Sequence, residues 1–289
     1  MYNEHFEKVE KVLETFPIEC RKNYYKNKKS LKIRKNSSIV AYGDYDHEKN
    51  KINLCDERAL SHELFHMAFR DKRKIKKRLC RGGSLVYSNG IAYKDIKTNK
   101  LGGVGLTEGF TEYLSRKCSN FKGQHFLYFF TDLLISIYGE DIIEYPLKND
   151  ILGFIDDKRF FEIIKISSNM DELLEYLRII KHLNINNENL NIIFERCTKE
   201  EMIELSKKLL ELKSSFRNTI LELFNQIIEE YNNCDNPKIL KKDLVNKLNE
   251  FVTSTDYNII SYMVFENGTI SEQVQTIISE FSNEKIMTK

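Results

Sequence analysis

The sequence predicts an α+β protein: a first region with a small sheet around one central helix, then a mostly helical second region. Three observations carry this. Short apolar or alternating runs bounded by turn residues fall within the first 120 positions, where the dipeptide Asn89-Gly90 marks one hairpin. From about Phe121 onward the apolar positions recur at helical spacing almost throughout. Charge divides at the same place. Residues 1–120 hold 26 Lys and Arg against 15 Asp and Glu, and the remainder holds 19 against 28, so the formal net charge of +2 hides two regions of opposite sign. We read residues 1–120 as an N-terminal subdomain and 121–289 as a helical C-terminal subdomain.

The composition, 41% hydrophobic and 30% charged over 289 residues, suits one large domain or two modest ones. With 12 Gly and 3 Pro it excludes collagen-like and low-complexity architectures. No apolar run approaches the roughly 18 residues of a transmembrane helix; the longest, residues 126–138, is interrupted by Thr131, Asp132 and Ser136. The N-terminus reads as a charged amphipathic helix without the apolar stretch of an export signal, which predicts a soluble, cytoplasmic chain. The six cysteines (Cys20, Cys55, Cys80, Cys118, Cys197, Cys234) form no CxxC pair, and reduced thiols are expected.

In chain order, Phe6, Val9, Val12, Leu13 and Phe16 predict a helix over residues 4–16, which Pro17 stops. Residues 21–35 are a Tyr-containing basic stretch with eight Lys and Arg and no acid. Residues 38–42 and 51–55 read as strands of a hairpin joined by the turn-rich segment 43–50. Asp56 is a good N-cap for a helix over 57–70, and a second basic run covers 70–81. Residues 84–88 and 91–95 flank Asn89-Gly90 as a second hairpin, after which 101–105 form a flexible lead into a helix over 107–118. Beyond it, helices are expected over 126–138, 160–166, 170–183, 199–231, 237–252 and 272–281.

One stretch carries chemistry. His62-Glu63-Leu64-Phe65-His66 has the HExxH form and lies inside the helix predicted from its cap and periodicity. Residues four apart on a helix share a face, so His62 and His66 can aim two imidazole nitrogens at one zinc ion, with Glu63 beside its water. The plain alternative is two core histidines and a surface Glu. A catalytic zinc needs a third protein ligand, and no His follows within residues 67–80; the next is His125. Downstream, Leu106-Thr107-Glu108-Gly109-Phe110-Thr111-Glu112-Tyr113-Leu114 places two carboxylates four apart on one face. Spacing leaves open which of Glu108 and Glu112 is the ligand, and two solvated carboxylates on an amphipathic helix remain the plain reading.

Together the two segments resemble the gluzincin class of zinc metallopeptidases, in which a Glu on a second helix completes the site within patterns such as LNEGFAxYL or NExxSD. Leu106, Glu108, Gly109, Phe110, Tyr113 and Leu114 match the first pattern, while Thr107 and Thr111 stand where it has Asn and Ala. The resemblance covers about twenty residues, and the 41 positions over 67–107 exceed the spacing of the best-known members. It implies a zincin-like fold with His62, His66 and Glu108 on Zn2+, Glu63 as general base, and Glu112 as a carboxylate orienting a ligating His. It also implies an upstream edge strand for an extended substrate, for which 38–42 or 51–55 would serve, and an oxyanion-stabilising Tyr or His. Tyr93, Tyr113, Tyr138 and Tyr145 are candidates for that role. The implied activity is hydrolysis of a polypeptide without membrane insertion, and the lack of a GAMEN signature favours an endopeptidase or processing enzyme.

The alternative function is that of a regulatory zincin-fold protein acting on, or binding, one dedicated protein partner in association with nucleic acid. The basic runs 21–35 and 70–81 offer phosphate contacts, but no helix-turn-helix, zinc-finger or RNA-binding pattern accompanies them, which favours a solvated basic face. Residues 102–105 lack the ending of a phosphate-binding loop. His5, His47, His125 and His182 are assigned surface or structural roles.

Overall fold

In a computed structural model of the chain, the described residues are 2–35, 42–71, 77–78, 84–95, 101–120, 125–157, 163–182, 198–253 and 269–283. Helix α1 (Asn3–Leu13) buries Val9 and Leu13, as its apolar spacing predicts. Pro17 is then the N-cap residue of α2 (Ile18–Lys28), a helix the sequence pattern does not reveal. Its buried positions are Cys20, Tyr24 and Asn27, a helical stripe whose polar atoms hide it from hydropathy. The Tyr24 hydroxyl donates to Glu10 Oε1 on α1 at 3.1 Å.

Strands β1 (Lys32–Lys35), β2 (Gly43–Asp46) and β3 (Lys51–Leu54) form a sheet of order β1-β3-β2, β3 running parallel to β1 and antiparallel to β2. Of the expected strand 38–42 only Tyr42 is described, and it lies outside any strand. The hairpin instead joins β2 to β3, so segment 43–50 is half strand rather than all turn. β2 reads as Gly-Asp-Tyr-Asp, with turn-type residues flanking its single buried side chain, Tyr45. Among the described residues β3 is central, so residues 51–54 have no free edge for a substrate, and β2 is the edge strand on that side.

The Asp56 carboxylate accepts the Arg58 N–H at 2.9 Å and opens a 3-10 turn, Glu57–Ala59, that continues into α3 (Leu60–Phe69). All ten residues of α3 are buried. Its C-terminal carbonyls would be orphaned there without partners, and Asn27 Nδ2 supplies one, donating to Met67 O at 3.0 Å and Arg70 O at 2.8 Å. Arg70 donates in turn to Asn27 Oδ1 (3.1 Å), Glu48 O (3.1 Å) and His47 O, tying the end of α3 to the β2–β3 turn. Arg70 is therefore buried rather than the start of a solvated basic face; residues 72–76 and 79–81 of the second basic run fall outside the described residues.

A second, antiparallel sheet orders β4 (Lys77–Arg78), β5 (Ser84–Asn89), β6 (Ala92–Asp95) and β7 (Leu101–Gly102) in sequence. The β5–β6 hairpin is as expected, with its two-residue loop at Gly90-Ile91, one position later, because Asn89 pairs with Ala92. Gly90 has φ 68°, and its N–H meets Phe69 O (3.1 Å) and Asn149 Oδ1 (3.0 Å), docking the loop on the end of α3.

The chain enters α4 (Val104–Cys118) three residues before the predicted start. Then follow α5 (His125–Tyr138), a 3-10 turn Glu140–Ile143, and two short helices too brief for periodicity to show, α6 (Glu144–Lys148) and α7 (Ile151–Asp156). The expected helices 160–166 and 170–183 are one helix, α8 (Ile163–His182). The polar break between them stays helical, and Asn169 Nδ2 donates to Glu222 Oε2 at 3.0 Å. Glu222 lies on α9 (Lys199–Asn233), which opens with a Thr198/Glu201 capping box. Helix α10 (Lys241–Thr253) starts four residues later than predicted, and α11 (Thr269–Asn283) follows.

Apolar side chains on both sides of position 120, among them Phe65, Phe110, Phe130, Phe224 and Phe251, share one buried core. Among the described residues no helix is long and apolar enough to cross a membrane. Cys20, Cys55, Cys118 and Cys234 are free thiols; Cys80 and Cys197 fall outside the described residues.

Gly109 sets the approach of α4 to α5. A Cβ there would overlap Thr131 Oγ1 and lie 2.8 Å from Leu127 O. Overpacking of this kind costs about 1–3 kcal/mol, whereas Ala gains about 1 kcal/mol of helix propensity over Gly. Gly109→Ala is therefore expected to lower the unfolding free energy in urea titration despite the better helix former.

Candidate metal centre

The site forms where α3 packs against α4. His62 and His66, one turn apart on α3, bring their Nε2 atoms to 3.1 Å from each other. Glu108 Oε2, from α4, lies 3.5 Å from His62 Nε2 and 3.3 Å from His66 Nε2. These three residues are a group of donors able to hold a metal ion among the described residues. Bonds of about 2.0–2.2 Å at tetrahedral angles separate donor atoms by about 3.3–3.6 Å, close to the spacing found. Two imidazoles and one carboxylate are also the donor chemistry of a zinc site with a fourth position left for water or substrate. The residues fit the ion.

Glu112 is fully buried behind them. Its Oε2 lies 3.1 Å from His62 Nδ1, and its Oε1 accepts Arg116 Nε at 2.8 Å. The Arg116 guanidinium lies 3.8 Å from the centroid of the Tyr128 ring. A carboxylate on Nδ1–H selects the tautomer in which Nε2 carries a lone pair, the form that ligates metal. Behind His66, Thr111 Oγ1 lies 3.5 Å from Nδ1 and donates to Thr107 O at 2.8 Å. Thr111, which stands where the gluzincin pattern has Ala, thus has a hydrogen-bonding role beside His66. Thr111 and Arg116 were not singled out from the sequence. The Glu112/Arg116 spacing of four was the signal that could have found the second.

Electrostatically the pocket calls for a cation. Burial disfavours a charged His62, yet hydrogen bonds to Glu108 and Glu112, with the charge of Glu63, push its imidazole up to about 10. Burial likewise opposes ionisation of Glu108, but the charge of His66 and hydrogen bonds from both imidazoles hold it well below the ordinary carboxylate range. Glu63 stays outside the three-donor group. Burial raises its carboxyl, against the pull of His62 and His66 and with support from Glu108 and Asp44. It is packed on the start of β2, where a Cβ at Gly43 would lie 2.7 Å from Glu63 Oε1.

The other candidates are not part of the three-donor group. The hydroxyl of Tyr113 donates to Glu140 at 2.8 Å, that of Tyr138 to Glu230 and that of Tyr145 to Asp157, which commits all three elsewhere. The ring of Tyr93 packs on the Gly102 backbone. His5 contacts Ser61 Oγ at 3.1 Å, just ahead of His62, and His47 offers its carbonyl to Arg70. The side chains of His125 and His182 fall outside the described residues. No protein-family model, curated protein or solved structure matches the chain.

The protein as purified, or after adding metal back, is expected to bind one equivalent of zinc, which Glu108→Ala abolishes. Glu112→Gln is expected to weaken binding by about 10–100-fold, as losses of such outer partners do. Competition with a chromophoric chelator measures both.

Proposed function

We propose that the protein is a zinc-dependent metallopeptidase of gluzincin type, with a zincin-like arrangement of α3, α4 and the β1-β3-β2 sheet. The observation that supports this most strongly is the meeting of His62, His66 and Glu108 within 3.1–3.5 Å of one another. Zinc, when bound, supplies Lewis-acid polarisation of a carbonyl and acidifies water toward pH 7.

The remaining work falls to this chain's own side chains. His62, His66 and Glu108 hold the ion, and Glu112 keeps His62 in the ligating tautomer with Arg116 as its countercharge. Glu63 accepts the proton of the attacking water and returns it to the leaving amine. A carboxyl raised by burial suits that two-way task better than an ordinary one. Glycine at position 43 lets the backbone of β2 run against Glu63, and β2 is an edge strand of its sheet. We assign β2 to pairing with an extended peptide, which would bring a scissile bond beside the base.

Glu63→Gln keeps the shape of the pocket and removes the base. It is expected to retain stoichiometric zinc and to lose about 10²–10⁴-fold of peptide hydrolysis, assayed on a fluorogenic peptide library. Full activity in that variant would overturn the assignment, and a zinc-loaded wild type that cleaves no library member would overturn the metallopeptidase reading.

A further inference from the structure

The first turn of α4 is held by a side chain from the helical region. Gly103, the N-cap residue of α4, has φ 72° and no side chain to satisfy the exposed N–H groups of the first turn. Asp171, on α8, supplies what is missing. Its Oδ2 accepts the Gly103 N–H at 2.8 Å and its Oδ1 accepts the Gly105 N–H at 2.7 Å. A negative group at this end also complements the helix dipole.

Contact on both sides turns the cap into a seat. A Cβ at Gly105 would overlap Met170 O, and one at Gly103 would overlap Ile91 O, so the turn is wedged between the α8 backbone and the β5–β6 hairpin. The Thr107 hydroxyl donates to Gly103 O at 2.7 Å, and the next residue is Glu108. Gly105 and Glu108 are one turn apart, about 4.5 Å along the axis. A displacement of the seat therefore passes to the Glu108 carboxylate almost undiminished, whereas metal ligands must be held to within about 0.5 Å.

We propose that Asp171 is a positioning residue of the metal centre: by gripping Gly103 and Gly105 from α8, it sets where Glu108 stands relative to His62 and His66. The inference rests on the metal-centre reading of that cluster. It also gives the helical C-terminal region a task, since α8 becomes part of the frame that aims the third ligand.

The test uses the full chain with Asp171→Ala and Asp171→Asn, zinc affinity by chelator competition, and the absorption spectrum of the cobalt(II)-loaded protein. Lys247→Met is the control. It removes a 2.7 Å ion pair to Asp132 between α10 and α5 and so lowers stability without touching the Asp171 grip on Gly103 and Gly105. Asp171→Ala is expected to weaken zinc binding about 10-fold or more and to alter the cobalt spectrum. Asp171→Asn, which keeps one acceptor, is expected to fall between it and wild type, and it carries the test alone if the Ala variant does not fold. Lys247→Met is expected to lose thermal stability with its zinc affinity intact. The proposal is overturned if both folded Asp171 variants bind zinc as wild type with an unchanged spectrum, or if Lys247→Met weakens zinc equally. A wild type that binds no zinc overturns the metal-centre reading itself. Zinc binding without peptide hydrolysis overturns only the peptidase.

Discussion

Three lone-pair donors pressed together inside a protein repel one another unless a cation lies among them. The Nε2 atoms of His62 and His66 and the Oε2 of Glu108 are in that position, with Glu63 and Glu112 adding carboxylates around them. Burial makes the conflict sharper, because an unpaired polar group costs free energy when water is excluded. A proton on His62 relieves part of it, which is why that imidazole is driven toward its charged form. A divalent ion relieves all of it, satisfying three donors at once without spending a donor hydrogen on any.

Much of the surrounding fold can be understood as holding α3 and α4 against this tension. Helix α3 is buried along its whole length, so its end cannot rely on water; the Asn27 amide serves instead, and the Arg70 guanidinium holds that amide in turn. Helix α4 begins on a glycine with left-handed φ and takes its cap from Asp171. Both devices are side chains reaching to backbone across distant segments. Such bonds specify position as well as stability, because two acceptors or two donors at fixed spacing tolerate little sliding.

How much of this was legible in the sequence differs from element to element for physical reasons. The helix that carries His62 and His66 on one face was legible, because a cap at Asp56 and a four-residue His spacing are local facts that packing does not rearrange. The β5–β6 hairpin was legible from Asn-Gly, with its loop one residue late because pairing, rather than composition, decides where a strand ends. Helix α2 was hidden, since Cys20, Tyr24 and Asn27 bury polar atoms that are satisfied only after folding. Strand β2 was hidden by Asp44 and Asp46, which read as turn residues yet flank an inward Tyr45. The glycines at 102, 103 and 105 suggested flexibility. Their cause is steric, because Tyr93, Ile91 and Met170 leave no room for a Cβ. Glu108 and Glu112 share one face at helical spacing, so only the crossing of α3 over α4 could place one at the Nε2 atoms and the other at Nδ1.

That crossing also explains how carboxylates in one pocket come to differ. Glu112 has a guanidinium on one oxygen and an imidazole N–H on the other, so its charge is matched on both sides and its geometry is fixed. Glu63 has neither; it rests on the bare backbone at Gly43, with burial raising its carboxyl and the imidazoles pulling it back. A carboxylate locked by two strong partners is suited to orienting a ligand and poorly suited to exchanging protons, because each transfer would break a charge-assisted bond. One left without such partners, its carboxyl raised by burial, is better suited to taking a proton and giving it up. The division of labour we propose between Glu63 and Glu112 thus rests on what each one touches.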